Sequence, residues 1–186
     1  QNITVVGVGK LGLPFALLLE KNGYDVKVCD IIKAYVQKLN KKEFISNEPG
    51  VDELLLNSKN FSATTDLKRA ISHSNIIFIL LATPSLKNGS YDHSQIDGVI
   101  SQIKSFEKPK LKKHLIISCT VMPGYSESIS EQLKDLGYIL SYNPEFIAQG
   151  SVVSDLQNPD MVLIGEGDKE AGVFLQKIYD TICMNN

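Results

Sequence analysis

Gly7, Gly9 and Gly12, spaced as Gly-x-Gly-x-x-Gly, follow the β-branched run Ile3-Thr4-Val5-Val6 and open a stretch of helical composition, Phe15 to Glu20. That context makes the glycines a phosphate cradle. Gly7 permits a sharp reversal, Gly9 lets backbone approach a pyrophosphate, and Gly12 lets the helix pack closely on the strand. The unpaired N–H groups and positive dipole end of the helix then face the anion. Lys10 sits inside the loop and counts with it as cofactor-binding. A second apolar segment from Tyr24 ends on Asp30, eighteen positions after Gly12, where a carboxylate accepts both hydroxyls of an adenosine ribose. An acid there disfavours a 2′-phosphate, so NAD is expected over NADP. A strand-end Asp can also be a plain helix cap; the order of strand, turn, helix, strand and acid carries the reading.

Three later apolar segments run out into polar residues. Ile76 to Ala82 leads to Thr83-Pro84-Ser85, Leu115 to Cys119 leads to Thr120 and Pro123-Gly124, and Tyr138 to Tyr142 leads to Asn143-Pro144-Glu145-Phe146. In a parallel sheet these carboxyl ends meet at one crevice, beside the nicotinamide end of the cofactor. Glu145, the acid of the set, is a candidate general base or water-orienting group; the competing reading is a surface glutamate after a proline turn. The Thr120 hydroxyl holds a water or a cofactor amide, or else caps the Pro123-Gly124 turn. Lys33 reaches the adenosine side or is a solvated lysine. His73, His93 and His114 stand in polar surroundings away from these ends and read as surface residues. Cys29 and Cys119, at apolar strand ends, read as small buried thiols.

The elements that must position these residues alternate along the chain. Ile31 to Asn40 has helical spacing, with Ile32, Val36 and Leu39 on one face. A loop follows to Gly50, then a short helix with acids in its first turn around Asp52 and Glu53, and a short strand, Phe61 to Thr64. Thr65 or Asp66 caps a helix through Ile71. Asp92 or Ser94 starts another, carrying Ile96, Val99, Ile100 and Ile103. A further helix spans 126–136 and stops at Gly137. Met161 to Gly165 reads as a strand, and Asp168 caps a last helix holding Ala171, Phe174, Leu175 and Ile178. The pattern is that of an α/β fold, a Rossmann-type doubly wound, mostly parallel sheet with helices on both faces. Residues 1–186 read as one domain.

Composition narrows the partners. With 186 residues, 43% hydrophobic and 22% charged, the chain can bury a full core. A formal net charge of −2 gives no electrostatic reason to expect nucleic acid or an anionic membrane. No apolar run approaches the ~20 residues of a membrane span, and no signal-peptide pattern opens the chain, so a cytoplasmic protein is expected. The three cysteines are odd in number and lack metal-like spacing, so neither a disulfide framework nor a zinc site is indicated.

Taken together, these motifs resemble the N-terminal NAD-binding domain of the UDP-glucose/GDP-mannose dehydrogenases, which oxidise the C6 hydroxymethyl of a nucleotide sugar to a carboxylate with two NAD. The likeness runs through Gly7 to Gly12, Asp30, Glu48-Pro49-Gly50, Ala82-Thr83-Pro84, Ser118 to Val121 with Pro123-Gly124, Asn143-Pro144-Glu145-Phe146 with Gly150, and Asn158-Pro159-Asp160. The Asn-Pro-Glu-Phe stretch is the most specific of these. The resemblance implies that Leu11 and Asp30 contact the adenosine half of NAD. It places Thr83, Pro84 and Thr120 on the nicotinamide side, with Thr120 positioning a catalytic water. It makes Glu145 the acid/base group and lays the backbone of Phe146, Ile147 and Ala148 along the nucleotide sugar. It further implies a longer enzyme, homodimeric through a central helix, serving polysaccharide biosynthesis. Tyr35 stands where a basic residue is common, Gln149 where glutamate is, and Met161 where arginine is. The family's catalytic cysteine, in a glycine-rich motif, has no counterpart here, and Cys183 is not assigned that role. A stand-alone NAD-binding regulatory module without turnover is the alternative, and a two-domain hydroxy-acid dehydrogenase a third.

Overall fold

The structure, a computed structural model, describes residues 1–185. Six strands, β1 (Asn2–Val6), β2 (Asp25–Cys29), β3 (Phe61–Thr64), β4 (Ile76–Ile79), β5 (Lys113–Ile117) and β6 (Tyr138–Tyr142), form one sheet in the order β3-β2-β1-β4-β5-β6. Every pairing is parallel. The chain winds outward from β1 to β3, then returns to β4 on the other side of β1. Two crossovers therefore leave in opposite directions at β1/β4, which opens a crevice at the carboxyl edge.

Among the described residues, eight α-helices surround the sheet: α1 (Gly12–Lys21), α2 (Lys33–Lys41), α3 (Val51–Asn57), α4 (Leu67–His73), α5 (Ser94–Ser105), α6 (Tyr125–Leu133), α7 (Val152–Gln157) and α8 (Lys169–Ile182). A 3₁₀ turn, Lys134–Leu136, extends α6 until Gly137, at φ 86°, ends it. Strand alternation divides the core in two. Ile3, Val5, Val26, Val28, Phe78 and Ile116 pack with α1 and α8; Ile77, Ile79, Leu115 and Ile117 pack with α4, α5 and α6. Helix α1 is apolar on almost every side because α3, α7 and α8 all touch it. Its Phe15 meets Phe78 edge-on at 4.9 Å and lies 6.5 Å from Tyr179 of α8. Thr4, buried within β1, donates to the Ala70 carbonyl at 2.8 Å, so α4 is tied to the sheet by a satisfied polar group.

Local capping follows the sequence. Asp66 accepts from Arg69 N–H at 3.0 Å, Asp168 from Ala171 N–H at 2.9 Å, and Asp92 from Ser94 N–H at 2.9 Å, each satisfying a donor at a helix start.

Three expectations are corrected. Met161 to Gly165 is no strand: it meets β6 only through an antiparallel bridge between Tyr142 and Gly165, while the Leu163 carbonyl accepts from the Asn143 side chain at 2.9 Å and so leaves the ladder. His114 is not a surface residue. It is the second residue of β5, 5% exposed, with its ring edge-on to Phe174 at 4.9 Å, and burial lowers its pKa. His93 is not remote from the strand ends: its Nε2 accepts from Met122 N–H at 3.2 Å, just past Thr120, and its ring lies 4.0 Å from that of Tyr125. Helix α7, between the Glu145 loop and Asn158, was not foreseen in the sequence pattern.

Candidate functional site

The glycine turn is built by close approach. Gly7 takes φ 88° and donates its N–H to the Cys29 carbonyl at 2.9 Å, so the turn is hung from β2. A Cβ at Gly7 would sit 2.4 Å from the Leu80 oxygen, and one at Gly12 would sit 2.1 Å from the Gly7 oxygen. A Cβ at Gly9, by contrast, would meet nothing within 4 Å. Two glycines are thus required by packing, while the third faces open space at the start of α1, the place a pyrophosphate occupies.

Around this turn stand three further contacts. Tyr35 donates its hydroxyl to the Val8 carbonyl at 2.6 Å and packs edge-on against Phe44 at 4.9 Å; in place of a basic residue, an aromatic braces the turn. Burial, then the Asp30 charge, raises its phenol well above the usual range. Asp30 accepts from Ile32 N–H through Oδ1 at 3.0 Å, and no hydrogen bond to its Oδ2 is present among the described residues. One oxygen therefore caps the entry to α2, and the other is free for a ribose. Lys33 is exposed at the start of α2, and its side chain makes no hydrogen bond among the described residues. Exposed Lys10 donates to Gln149 Oε1 at 2.8 Å, linking the turn to the Glu145 loop. Leu11 is partly buried against the core.

Strands β4, β5 and β6 are neighbours and all parallel, so Thr83, Thr120 and Glu145 leave the sheet along one edge. Thr83 is partly exposed and Pro84 exposed; the Pro84 carbonyl accepts from Asp92 N–H at 2.8 Å. Thr120 is exposed and makes no side-chain hydrogen bond among the described residues, so it does not cap the Pro123-Gly124 turn. Cys119 is a buried thiol whose pKa burial raises.

Glu145 is the perturbed group. Its carboxyl is drawn inward toward α8, with Oε1 3.0 Å from the Tyr179 hydroxyl, and burial lifts its pKa from 4.5 to about 7. A carboxyl titrating near neutrality can both take and return a proton. Beyond it, Phe146 is 58% exposed, Ile147 is partly buried and Ala148 exposed. The loop is held by Glu48, whose two oxygens accept from Gly150 N–H at 2.8 and 3.0 Å. Tyr179 was invisible as a site residue because it shares helical spacing with Leu175, Ile178 and Ile182 and reads as core. Among the described residues no group of three or more His, Cys, Asp or Glu side chains could hold a metal ion, and no helix is long and apolar enough to cross a membrane.

The model of the UDP-glucose/GDP-mannose dehydrogenase family, NAD binding domain, matches residues 1–183. The chain belongs to this family. GDP-mannose 6-dehydrogenase of Pseudomonas aeruginosa is 31% identical over 96% of the chain and 44% of its own length. UDP-glucose 6-dehydrogenase of Rickettsia conorii is 32% identical over 96% of the chain and 42% of its own length. The crystal structure of the Pseudomonas aeruginosa GDP-mannose dehydrogenase in a ternary complex superposes with a TM-score of 0.91 at 29% identity, covering 98% of the chain and 44% of that protein. The chain thus spans less than half the length of these relatives. It is an NAD-binding domain of the UDP-glucose/GDP-mannose dehydrogenase family, with the Rossmann-type fold. The open backbone at Gly9 and the free oxygen of Asp30 fit a dinucleotide with an unmodified ribose.

Proposed function

We propose that the domain, residues 1–186, serves a nucleotide-sugar 6-dehydrogenase that oxidises the C6 hydroxymethyl of a UDP- or GDP-sugar to a carboxylate with two NAD. The observation that carries this is Glu145, a carboxyl titrating near 7 on the same sheet edge as the glycine turn and Thr120. NAD, when bound, supplies the hydride acceptor. The chain's own residues do the rest. Gly7 to Gly12, with Lys10 and Leu11, seat the diphosphate and adenosine; Asp30 takes the ribose hydroxyls, with Lys33 on the adenosine side. Thr83, Pro84 and Thr120 line the nicotinamide end, and Thr120 orients a water. In its ionised form Glu145 takes the hydroxyl proton as hydride leaves the same carbon, and the backbone of Phe146, Ile147 and Ala148 lies along the nucleotide sugar. The whole enzyme, with a sugar-nucleotide domain and a homodimeric state, acts in the cytoplasm in polysaccharide biosynthesis.

A second reading, an NAD-binding regulatory module, draws on the thiols. Burial lifts Cys29 to about 11 and also raises Cys119 and Cys183, so no activated thiol stands among the described residues.

Calorimetric titration with NAD and NADP, with and without UDP-glucose, tests the binding side. Selective NAD binding is expected, and Asp30→Ala should weaken it by about 1–3 kcal/mol, roughly 5- to 150-fold. Unchanged affinity would remove Asp30 from the ribose. In the longer protein, Glu145→Gln should retain NAD affinity and lose NADH production from the sugar nucleotide. Full activity would refute its role as base, and binding without turnover by the unsubstituted longer protein would favour the module.

A further inference from the structure

Tyr179 is 6% exposed, its ring fixed beside Phe15. Its hydroxyl lies between two oxygens, 2.6 Å from Asn143 Oδ1 and 3.0 Å from Glu145 Oε1. The Asn143 amide has only one orientation here. Its Nδ2 donates to the Leu163 carbonyl at 2.9 Å, its side chain is buried, and Oδ1 is therefore the face turned to Tyr179. A phenol carries one proton, and the shorter contact claims it. The Tyr179 oxygen then turns a lone pair toward Glu145. An ionised carboxylate would oppose it lone pair to lone pair; a carboxylic acid donates to it.

We propose that Tyr179 is a positioning residue for Glu145: with its own proton committed to Asn143, its oxygen accepts a hydrogen bond from the carboxyl, which is held in its acid form with the proton on Oε1. This rests on the reading of Glu145 as the acid/base group. Ionising Glu145 sends its proton outward and makes Tyr179 rotate its own proton from Asn143 to the carboxylate. Asn143 Oδ1, buried, then loses its partner, and that loss opposes ionisation. The space around the carboxyl is only about 10 Å³, the lower limit for a single water, so solvent compensates poorly. Burial, the larger influence, acts in the same direction, whereas a hydrogen bond donated by Tyr179 to the carboxylate would act in the other. Of the other ionisable groups, Asp155 of α7 lines the same space and is engaged with the Ser151 hydroxyl at 2.7 Å, the Cys183 thiol follows α8, and Lys177 and Asp180 of α8 are exposed and lie outside that lining; no cation is among the lining residues to hold Glu145 ionised.

Carbon-13 NMR of the glutamate carboxyls, titrated from acid to alkaline pH, reads the outcome on the 186-residue chain, with Glu145→Gln assigning the resonance. Tyr179→Phe keeps the ring on Phe15 and removes only the hydroxyl. Glu145 should become a roughly tenfold stronger acid in that variant. If Tyr179 instead donates to a carboxylate, the same change makes Glu145 a weaker acid. A weaker acid or an unmoved midpoint overturns the proposal. Titrating the same samples with NAD keeps the two readings apart, since failure to bind NAD undoes the proposed function and leaves the comparison of midpoints intact.

Discussion

Gly12→Ala should destabilise the domain by roughly 3–5 kcal/mol, among the largest effects of a single methyl group. The new Cβ would stand 2.1 Å from the Gly7 oxygen and 3.0 Å from its carbon, and both are backbone atoms of a turn that cannot yield. Gly7 itself is hung from β2 and has no room toward Leu80, whose oxygen would lie 2.4 Å from a Cβ there. Relief requires moving α1 off β1, and α1 carries Phe15, Leu17, Leu18 and Leu19, all within 1% of full burial. Against a total stability of about 5–15 kcal/mol, little margin remains. Gly9→Ala supplies the contrast: with no atom within 4 Å of its Cβ, it should shift urea stability by less than about 0.5 kcal/mol while weakening NAD binding. Equal urea midpoints for Gly12→Ala and the unsubstituted chain would overturn the packing account.

The second large effect is a change in pH dependence. Native Glu145 titrates at about 7 against 4.5 for the ordinary side chain. Between those values the folded state binds more protons than the unfolded one, so stability is full below about 4.5 and falls as pH rises through 7. The loss is about 3 kcal/mol by the linkage relation. Glu145→Gln removes it: the variant should match the unsubstituted chain near pH 4 and exceed it at pH 8. Urea unfolding across that interval measures both, and parallel curves for the two proteins would show that the carboxyl is not held in a proton-binding site.

Some of the site was legible because its physics is local. A reversal, a close approach and an acid at a strand end are written within thirty residues, and the uninterrupted apolarity of Ile76 to Ala82 announced a central strand with covered faces. What escaped depends on distant partners. Met161 to Gly165 has the composition of a strand, yet a strand exists only where a neighbour supplies a ladder, and the Asn143 side chain takes one of its carbonyls instead. His114 follows Lys112 and Lys113 in sequence, and nothing local says that its strand position faces α8 and Phe174. Tyr179 was concealed by its own periodicity: the spacing that buries its ring is silent about where its hydroxyl ends.

The tether from Glu48 to Gly150 joins residues 102 positions apart. The segment between β6 and α7 has no ladder or helix of its own, so part of its shape is borrowed from a carboxylate in the crossover between β2 and β3. Inheritance of damage follows that line rather than the chain's order. A lesion at Glu48 would be recorded in an assay as a fault of the Glu145 loop, although the altered residue belongs to the adenosine half of the fold. The two halves, wound in opposite directions from β1, therefore fail together.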